Sequence, residues 1–328
     1  MRFIRAKFLK TGLYLYDLPG TLPPIAGDWF FYQPTVGSDT GRSGREPDRP
    51  LASLAAAYAK TTSGRGDGIC ALAYHDPDSP ATGDTTTYLT EELAWANWGV
   101  TLFGVCAPTL FAARARISTA ATDLAQLITI SGSDNRVIGM HLYNGGTAGK
   151  GGLKVTGERN YFERVHVIGG AGIVTPDADE CSLELVGADE NTFRECVFGS
   201  DTFDRGDAAN CELRMSGGCM RNRFIDCEFL SYHSSGTTAG LVKFGGAGDA
   251  ITRDVVFKNC DFSVYDEANA AAEVSVFIGT PPNNGVVKIH NSFYNGCTDW
   301  CAVGAARVLT SMGAAADTGG KLLDQNPS

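Results

Sequence analysis

The chain has 328 residues, with 27 Lys+Arg against 37 Asp+Glu for a net charge of −10, and 43% of it is hydrophobic. That apolar fraction offsets ordering entropy and excludes a disordered chain, while the acidic balance argues against a nucleic-acid partner, because counterion release needs clustered Lys and Arg. The 40 Gly exceed the usual ~7% without a collagen triplet period, so they signal many tight turns and an all-β or repeat protein.

Residues 1–28 read as an N-terminal arm. The segment Met1 to Leu18 sets Arg2, Arg5, Lys7 and Lys10 among Phe3, Ile4, Phe8, Leu9 and Leu13. That pattern suits an extended arm laid on an acidic or apolar partner surface; a first strand packed on the body of the protein is the alternative. The apolar run Gly12 to Tyr16 is short, is broken by Asp17 and has no small-residue cleavage site after it, so the mature chain is expected to start near Met1. No stretch of 18 or more apolar residues is present, and no membrane-spanning helix is expected.

Trp29 to Tyr32 reads as a strand and Gly37 to Gly44 as a turn-rich loop. A short amphipathic helix is expected near residues 50–59, with Leu51, Leu54, Ala55 and Tyr58 on one face. Such a helix can close the end of a solenoid, whose terminal coil otherwise exposes a strand edge and an apolar core. Gly68 to Tyr74 and Gly99 to Pro108 would form the first coils.

From residue 135 onward one phrase recurs. Its clearest copies are Asn191-Thr-Phe193-Arg-Glu-Cys196-Val-Phe198 and Asn222-Arg-Phe224-Ile-Asp-Cys227-Glu-Phe229. Weaker copies end at Leu142, Val167 and Phe262, and a degraded one, Val286-Val-Lys288-Ile-His-Asn291-Ser-Phe293, closes the series. The six end positions are 25, 31, 31, 33 and 31 residues apart. A second alternating run, such as Leu183-Glu-Leu185 or Leu213-Arg-Met215, precedes each copy. Two or three short strands per repeat, with no helix-length pattern, predict an all-β right-handed parallel β-helix over residues 29–302 with coils of 25–33 residues and a C-terminal tail at 303–328.

In that geometry equivalent residues stack at about 4.8 Å from coil to coil. Met140, Val165, Cys196, Cys227, Cys260 and Asn291 are expected to point inward, as are Leu142, Val167, Phe198, Phe229, Phe262 and Phe293. Buried free Cys behaves as a small hydrophobe, so the central cysteines read as core. Asn135, Asn160, Asn191 and Asn222 fall at turns, where stacked amides can bond from coil to coil. Cys297 and Cys301 have no partners for a zinc site, and neither metal nor cofactor is expected. The sequence leaves the oxidation state of Cys211, Cys219, Cys297 and Cys301 open.

Glycoside cleavage needs two flanking carboxylates. Outward neighbours of the Cys column supply two pairs on adjacent coils, Glu195 with Asp226 and Glu228 with Asp261. A solvated acidic face is the simpler reading of both in so acidic a chain, and Arg164 stacks over Glu195 as a surface ion pair. His141 and His166 share one outward column and read as ordinary surface residues. Gly145 to Gly152 lacks phosphate-loop spacing and reads as a loop.

Three phrases together, the "GSD…PLASLAAA" opening from Gly37 to Ala57, the "GVTLFGVCAPT…RARI" coil from Gly99 to Ile117, and the repeated "NxFxxCxF" rungs, resemble the pectate-lyase-like β-helix proteins of bacteriophage virions. The resemblance implies an accessory virion protein, with tailspikes and fibres sharing the fold. The flanks are expected to form arms, with no adsorption anchor or trimerisation domain expected in them. The expectation is a non-enzymatic capsid decoration protein, a homotrimer assembled in the bacterial host cytoplasm. It would bind the major capsid protein or another virion protein through Arg2, Phe3, Arg5, Lys7, Phe8 and Lys10, with no membrane or nucleic-acid partner. The alternative is a short tailspike module that binds or hydrolyses surface polysaccharide.

Overall fold

The computed structural model describes residues 23–73, 86–107, 109–119, 124–145, 151–170, 180–204, 210–233, 240–246, 248–266, 275–280, 282–297, 299–301, 307–311 and 321–322. These residues form a parallel β-helix with three sheets: sheet 1 has eleven strands, and sheets 2 and 3 have eight each. Eight coils contribute one strand to each sheet in turn, and Trp29–Tyr32, Val308–Thr310 and Lys321–Leu322 add to sheet 1 alone, so neighbouring strands belong to successive coils, all parallel. In the central coil these are Thr192–Arg194 in sheet 1, Val197–Asp204 in sheet 2 and Cys211–Ser216 in sheet 3.

The recurring phrase maps directly onto one coil. Its Asn turns the chain from sheet 3 into sheet 1, its first Phe points inward from sheet 1, and its Cys and last Phe enter the core around sheet 2. Phe162, Phe193, Phe224 and Phe257 form one internal stack, with centroids 4.6, 4.8 and 4.8 Å apart and planes within 8°. Phe198, Phe229 and Phe262 form a second stack at 5.1 and 4.8 Å. The two stacks meet edge to face, as Phe224 and Phe229 do at 5.7 Å. Cys196, Cys227 and Cys260 are buried beside them, and the Cys227 and Cys260 thiols donate to the carbonyls of Phe193 and Phe224. All ten cysteines are free thiols.

The Asn residues form the expected ladder. The Asn135 N–H donates to Asn160 Oδ1 at 2.9 Å, Asn160 N–H to Asn191 Oδ1 at 2.9 Å, and Asn191 N–H to Asn222 Oδ1 at 3.0 Å. Asn222 Nδ2 donates in turn to the Ala188 carbonyl. Each buried amide thereby satisfies backbone groups that the corner leaves without a strand partner.

Two further columns take left-handed backbone. Between sheets 1 and 2 stand Gly139, Arg164, Glu195, Asp226, Asn259 and Asn291, with φ from 46 to 65°. Before the Asn ladder stand Asp134, Arg159, Glu190 and Arg221, with φ from 54 to 59°. A side chain in that region is strained. The strain persists because each residue's N–H still reaches the next coil, as Glu195 does to the Ile225 carbonyl at 3.0 Å and Asp226 to Lys258 at 2.9 Å.

At the N-terminal end, helix α1 (Leu54–Ala59) is capped by Ser53, whose Oγ accepts from Ala56 N–H at 3.1 Å. Asp39 positions that cap by accepting from the N–H groups of Ala52 and Ser53 and from the Ser53 hydroxyl. A Cβ on Gly37 would stand 2.0 Å from the Leu51 carbonyl oxygen, so that position needs glycine. Leu51, Leu54 and Ala57 are buried under the helix, whereas Ala55, expected on that face, is exposed.

Two expectations are corrected at the other end. In the last copy the register is one residue later, so Tyr294 pairs with Phe262, and Ser292 takes the inward place expected for Asn291, its Oγ accepting from Cys260 N–H and donating to the His290 carbonyl. Phe293 is therefore 56% exposed, and Asn291 is a left-handed corner residue outside the core. The strands Val308–Thr310 and Lys321–Leu322 also extend sheet 1 into the stretch expected as a tail.

Candidate functional site

The corner between sheets 1 and 2 carries the first carboxylate pair. A shallow depression of about 360 Å³ is lined by Leu110, Arg164, Glu195 and Asp226. Glu195 accepts from Arg164 Nε at 2.7 Å and stands 3.5 Å from Arg194 Nε. Asp226 accepts from Asn259 Nδ2 at 2.9 Å. The two carboxylates do lie on adjacent coils, at left-handed corner positions where each is tied to a neighbour.

The second pair stands on the outer face of sheet 2. Glu228 and Asp261 are direct register partners on adjacent strands, which run about 4.8 Å apart. Burial raises the Glu228 carboxyl above its ordinary range, and the Asp261 charge beside it adds to the effect. Asp261 accepts from the Ser263 hydroxyl at 2.9 Å. Two carboxyl groups on adjacent coils, one raised by burial and by its neighbour's charge and the other hydrogen-bonded to a hydroxyl, have the elements of an acid–base pair.

Exposed aromatic rings flank this pair. Phe293 follows Asp261 in the same outward column, and Tyr265 lies four residues along the Asp261 strand on the same face, paired in register with Tyr232. Phe293 is 56% exposed and Tyr265 44%. The sequence reading assigned Phe293 to the core, so this platform was missed. The cue available was the double Phe293-Tyr294, which permits either register.

His141 and His166 continue the same outward column toward the N-terminus, but they are not surface residues. They are 4% and 5% exposed, with rings stacked at 4.7 Å and 12°. Residues 109–114 pack on His166: Ala112 N–H donates to His166 Nδ1 at 3.1 Å, and Phe111 meets the His166 ring edge-on at 5.7 Å. Because Nδ1 accepts, Nε2 of His166 carries the proton and donates to the Gly199 carbonyl at 2.9 Å. His141 Nδ1 accepts from Arg116 Nε at 2.9 Å, which leaves its proton on Nε2, a buried atom without a hydrogen-bond partner. Burial, the neighbouring His166 and the Arg116 charge push His141 down to about 2. Burial likewise lowers His166, against the pull of the Gly199 bond.

The arm residues Arg2, Phe3, Arg5, Lys7, Phe8 and Lys10 lie outside the described residues, as does most of the Gly145 to Gly152 loop. Cys196, Cys227, Cys260, Phe198, Phe229 and Phe262 are core, as expected. Among the described residues no cluster of three or more His, Cys, Asp or Glu is placed to hold a metal, and no helix is long and apolar enough to cross a membrane.

The sequence matches no protein-family model and no curated protein. Solved structures do share the fold. A pectate lyase, Pel9A, superposes with a TM-score of 0.54 at 16% identity, covering 87% of this chain and 68% of its own. A pectin methylesterase in complex with a hexasaccharide superposes with a TM-score of 0.54 at 12% identity, covering 89% of this chain and 92% of its own. At such identities the likeness shows the pectate-lyase-like β-helix fold.

Proposed function

We propose that this chain is a structural protein of a bacteriophage virion, a rigid β-helix that decorates the capsid. The observation that supports it most is the use of the corner charges. Arg164 holds Glu195 at 2.7 Å, Arg221 holds Glu190 at 2.8 Å and Arg159 holds Asp134 at 3.2 Å, each from one coil to the next. These exposed pairs bridge successive coils, each adding little by itself, and they spend the corner charges on the scaffold. The phrases that resemble phage β-helices also have structural work: Gly37, Asp39 and Ser53 close the N-terminal end, and the repeated Asn, Phe and Cys fill the interior.

In this reading the basic, aromatic arm with Arg2, Phe3, Arg5, Lys7, Phe8 and Lys10 contacts the major capsid protein lattice or another virion protein. A homotrimer at local threefold points of the shell would match the symmetry of such a particle. The protein would assemble in the bacterial host cytoplasm and reside on the capsid surface. The test is particle binding by the full chain and by a variant lacking residues 1–18: the full chain should co-sediment with undecorated capsids and the deletion should not. Equal binding by both would remove the arm from the interface.

A second reading is favoured by one observation, the raised Glu228 carboxyl beside Asp261 between exposed Tyr265 and Phe293. It makes the outer face of sheet 2 a polysaccharide-binding or polysaccharide-cleaving surface on a short tailspike, with Glu228 as acid and Asp261 as nucleophile. Release of reducing ends from host surface polysaccharide, lost in both Glu228→Gln and Asp261→Asn, would establish it. No release by the unmodified chain would reject cleavage.

A further inference from the structure

We propose that the segment Thr109–Arg114 is a strap latched by neutral His166 and released when His166 takes up a proton. The inference is independent of the function proposed above. It starts from Ala112, whose φ of 46° makes it, among the described residues, a left-handed non-glycine residue outside both corner columns. No coil-to-coil ladder supports that conformation. What holds it is the bond from its N–H to His166 Nδ1 at 3.1 Å, with the Phe111 ring set edge-on against the same imidazole.

The geometry fixes where a proton must go. Nε2 of His166 already carries hydrogen and donates to the Gly199 carbonyl, so the free lone pair is on Nδ1, the atom that accepts from the strap. A proton taken from solvent onto Nδ1 turns that acceptor into a second donor. It then faces the Ala112 N–H, and that hydrogen bond is lost.

The surroundings set the balance. Arg116 on the strand Arg116–Thr119 opposes protonation, while Asp201 on the strand Val197–Asp204 and Glu212 on the strand Cys211–Ser216 favour it. His141 stacks on the ring, held neutral by burial, by His166 and by the Arg116 charge, and Tyr143 lies against His141. Arg114 belongs to the strap itself. Burial holds His166 below the ordinary histidine range, which places release on the acid side of neutrality. Leu110 in the strap also lines the depression beside Arg164, Glu195 and Asp226, so release opens that corner together with the histidine pair.

Hydrogen–deuterium exchange of the full chain in a pH series from about 7.5 down through the His166 titration, corrected for intrinsic rates, tests the latch, with exchange at the imidazole C2 position following His166 in the same samples. Strap amides should exchange at least tenfold faster in acid, with a midpoint matching the His166 titration, while the strand Val197–Asp204 stays protected. In His166→Gln the side-chain amide can accept from Ala112 and donate to Gly199 without titrating, so the strap should remain protected throughout the series. Strap protection unchanged while His166 titrates would overturn the proposal, as would opening without titration or loss of the strand together with the strap. Should the variant fail to fold, the coincidence or separation of the two wild-type midpoints decides.

Discussion

Phe193 and Phe224 stack at 4.8 Å with their planes 6° apart, one coil directly over the next. Phe224 also packs on Phe257 and meets Phe198 and Phe229 edge-on, so it sits where both internal columns cross. Truncating it removes contacts in both stacks and leaves a cavity the rigid coils cannot close. Phe224→Ala should lose about 3–5 kcal/mol in denaturant unfolding, whereas exposed Tyr265→Ala should change stability by no more than about 0.5 kcal/mol.

The Asn ladder predicts an effect out of proportion to side-chain size. Asn191 accepts from Asn160 N–H and donates to the Gly157 carbonyl and to Asn222 Oδ1, all fully buried. Asn191→Ala strands the Asn160 N–H and the Gly157 carbonyl, so about 1–3 kcal/mol should be lost for each buried group left unpaired. Amide exchange at residue 160 should rise with it.

Corner residues should answer to backbone more than to chemistry. Asn259 has φ 54° and a side chain bonded only to exposed Asp226. Asn259→Gly should leave stability within about 0.5 kcal/mol, and the β-branched Asn259→Val should lose about 1–2 kcal/mol. Equal effects of the two variants would mean that the left-handed turn is not what constrains this column.

Much of this was legible in the sequence because a β-helix repeats its environment. The phrase around Asn191, Phe193, Cys196 and Phe198 recurs since each coil poses the same packing problem, and its period gave fold, core columns and Asn ladder together. The degraded last copy was a different matter. A one-residue shift in a strand exchanges its two faces, so Phe293 and Tyr294 traded places and the aromatic flank of Asp261 went unseen. The burial of His141 and His166 was also hidden, because what packs on His166, residues 109–114, is distant in sequence and has no periodic signature, and His141 stacks on that ring.

The histidine pair fixes the sign of a pH dependence. Both imidazoles are lowered in the folded chain, so the unfolded chain binds protons first as pH falls below the ordinary value of about 6.5. Stability should therefore be complete at neutral pH and decline in acid, His141 contributing down to about 2. The decline should be as steep as about 1.4 kcal/mol per pH unit for each neutral histidine. Urea midpoints measured from pH 7 to 5 should flatten in His141→Gln.

Glu228 acts in the opposite sense. Its raised carboxyl favours the folded state while protonated and loses that contribution as pH rises through its folded value. Glu228→Gln should then raise stability at neutral pH and leave it little changed in acid. A fall at neutral pH would mean that the charged form is stabilised by contacts on that face.

The most direct test of the structural role is cryo-electron microscopy of purified particles, reading the number and position of β-helices of this shape. The account predicts copies at numbers comparable to the shell protein, standing on the capsid lattice with residues 1–18 against the major capsid protein; Pro24, Gly27 and Asp28 bond to the β-helix itself, so the arm expected over residues 1–28 ends before them. A handful of copies at the tail tip, with a bare shell, would contradict it and make the Glu228 and Asp261 face the place to look for function.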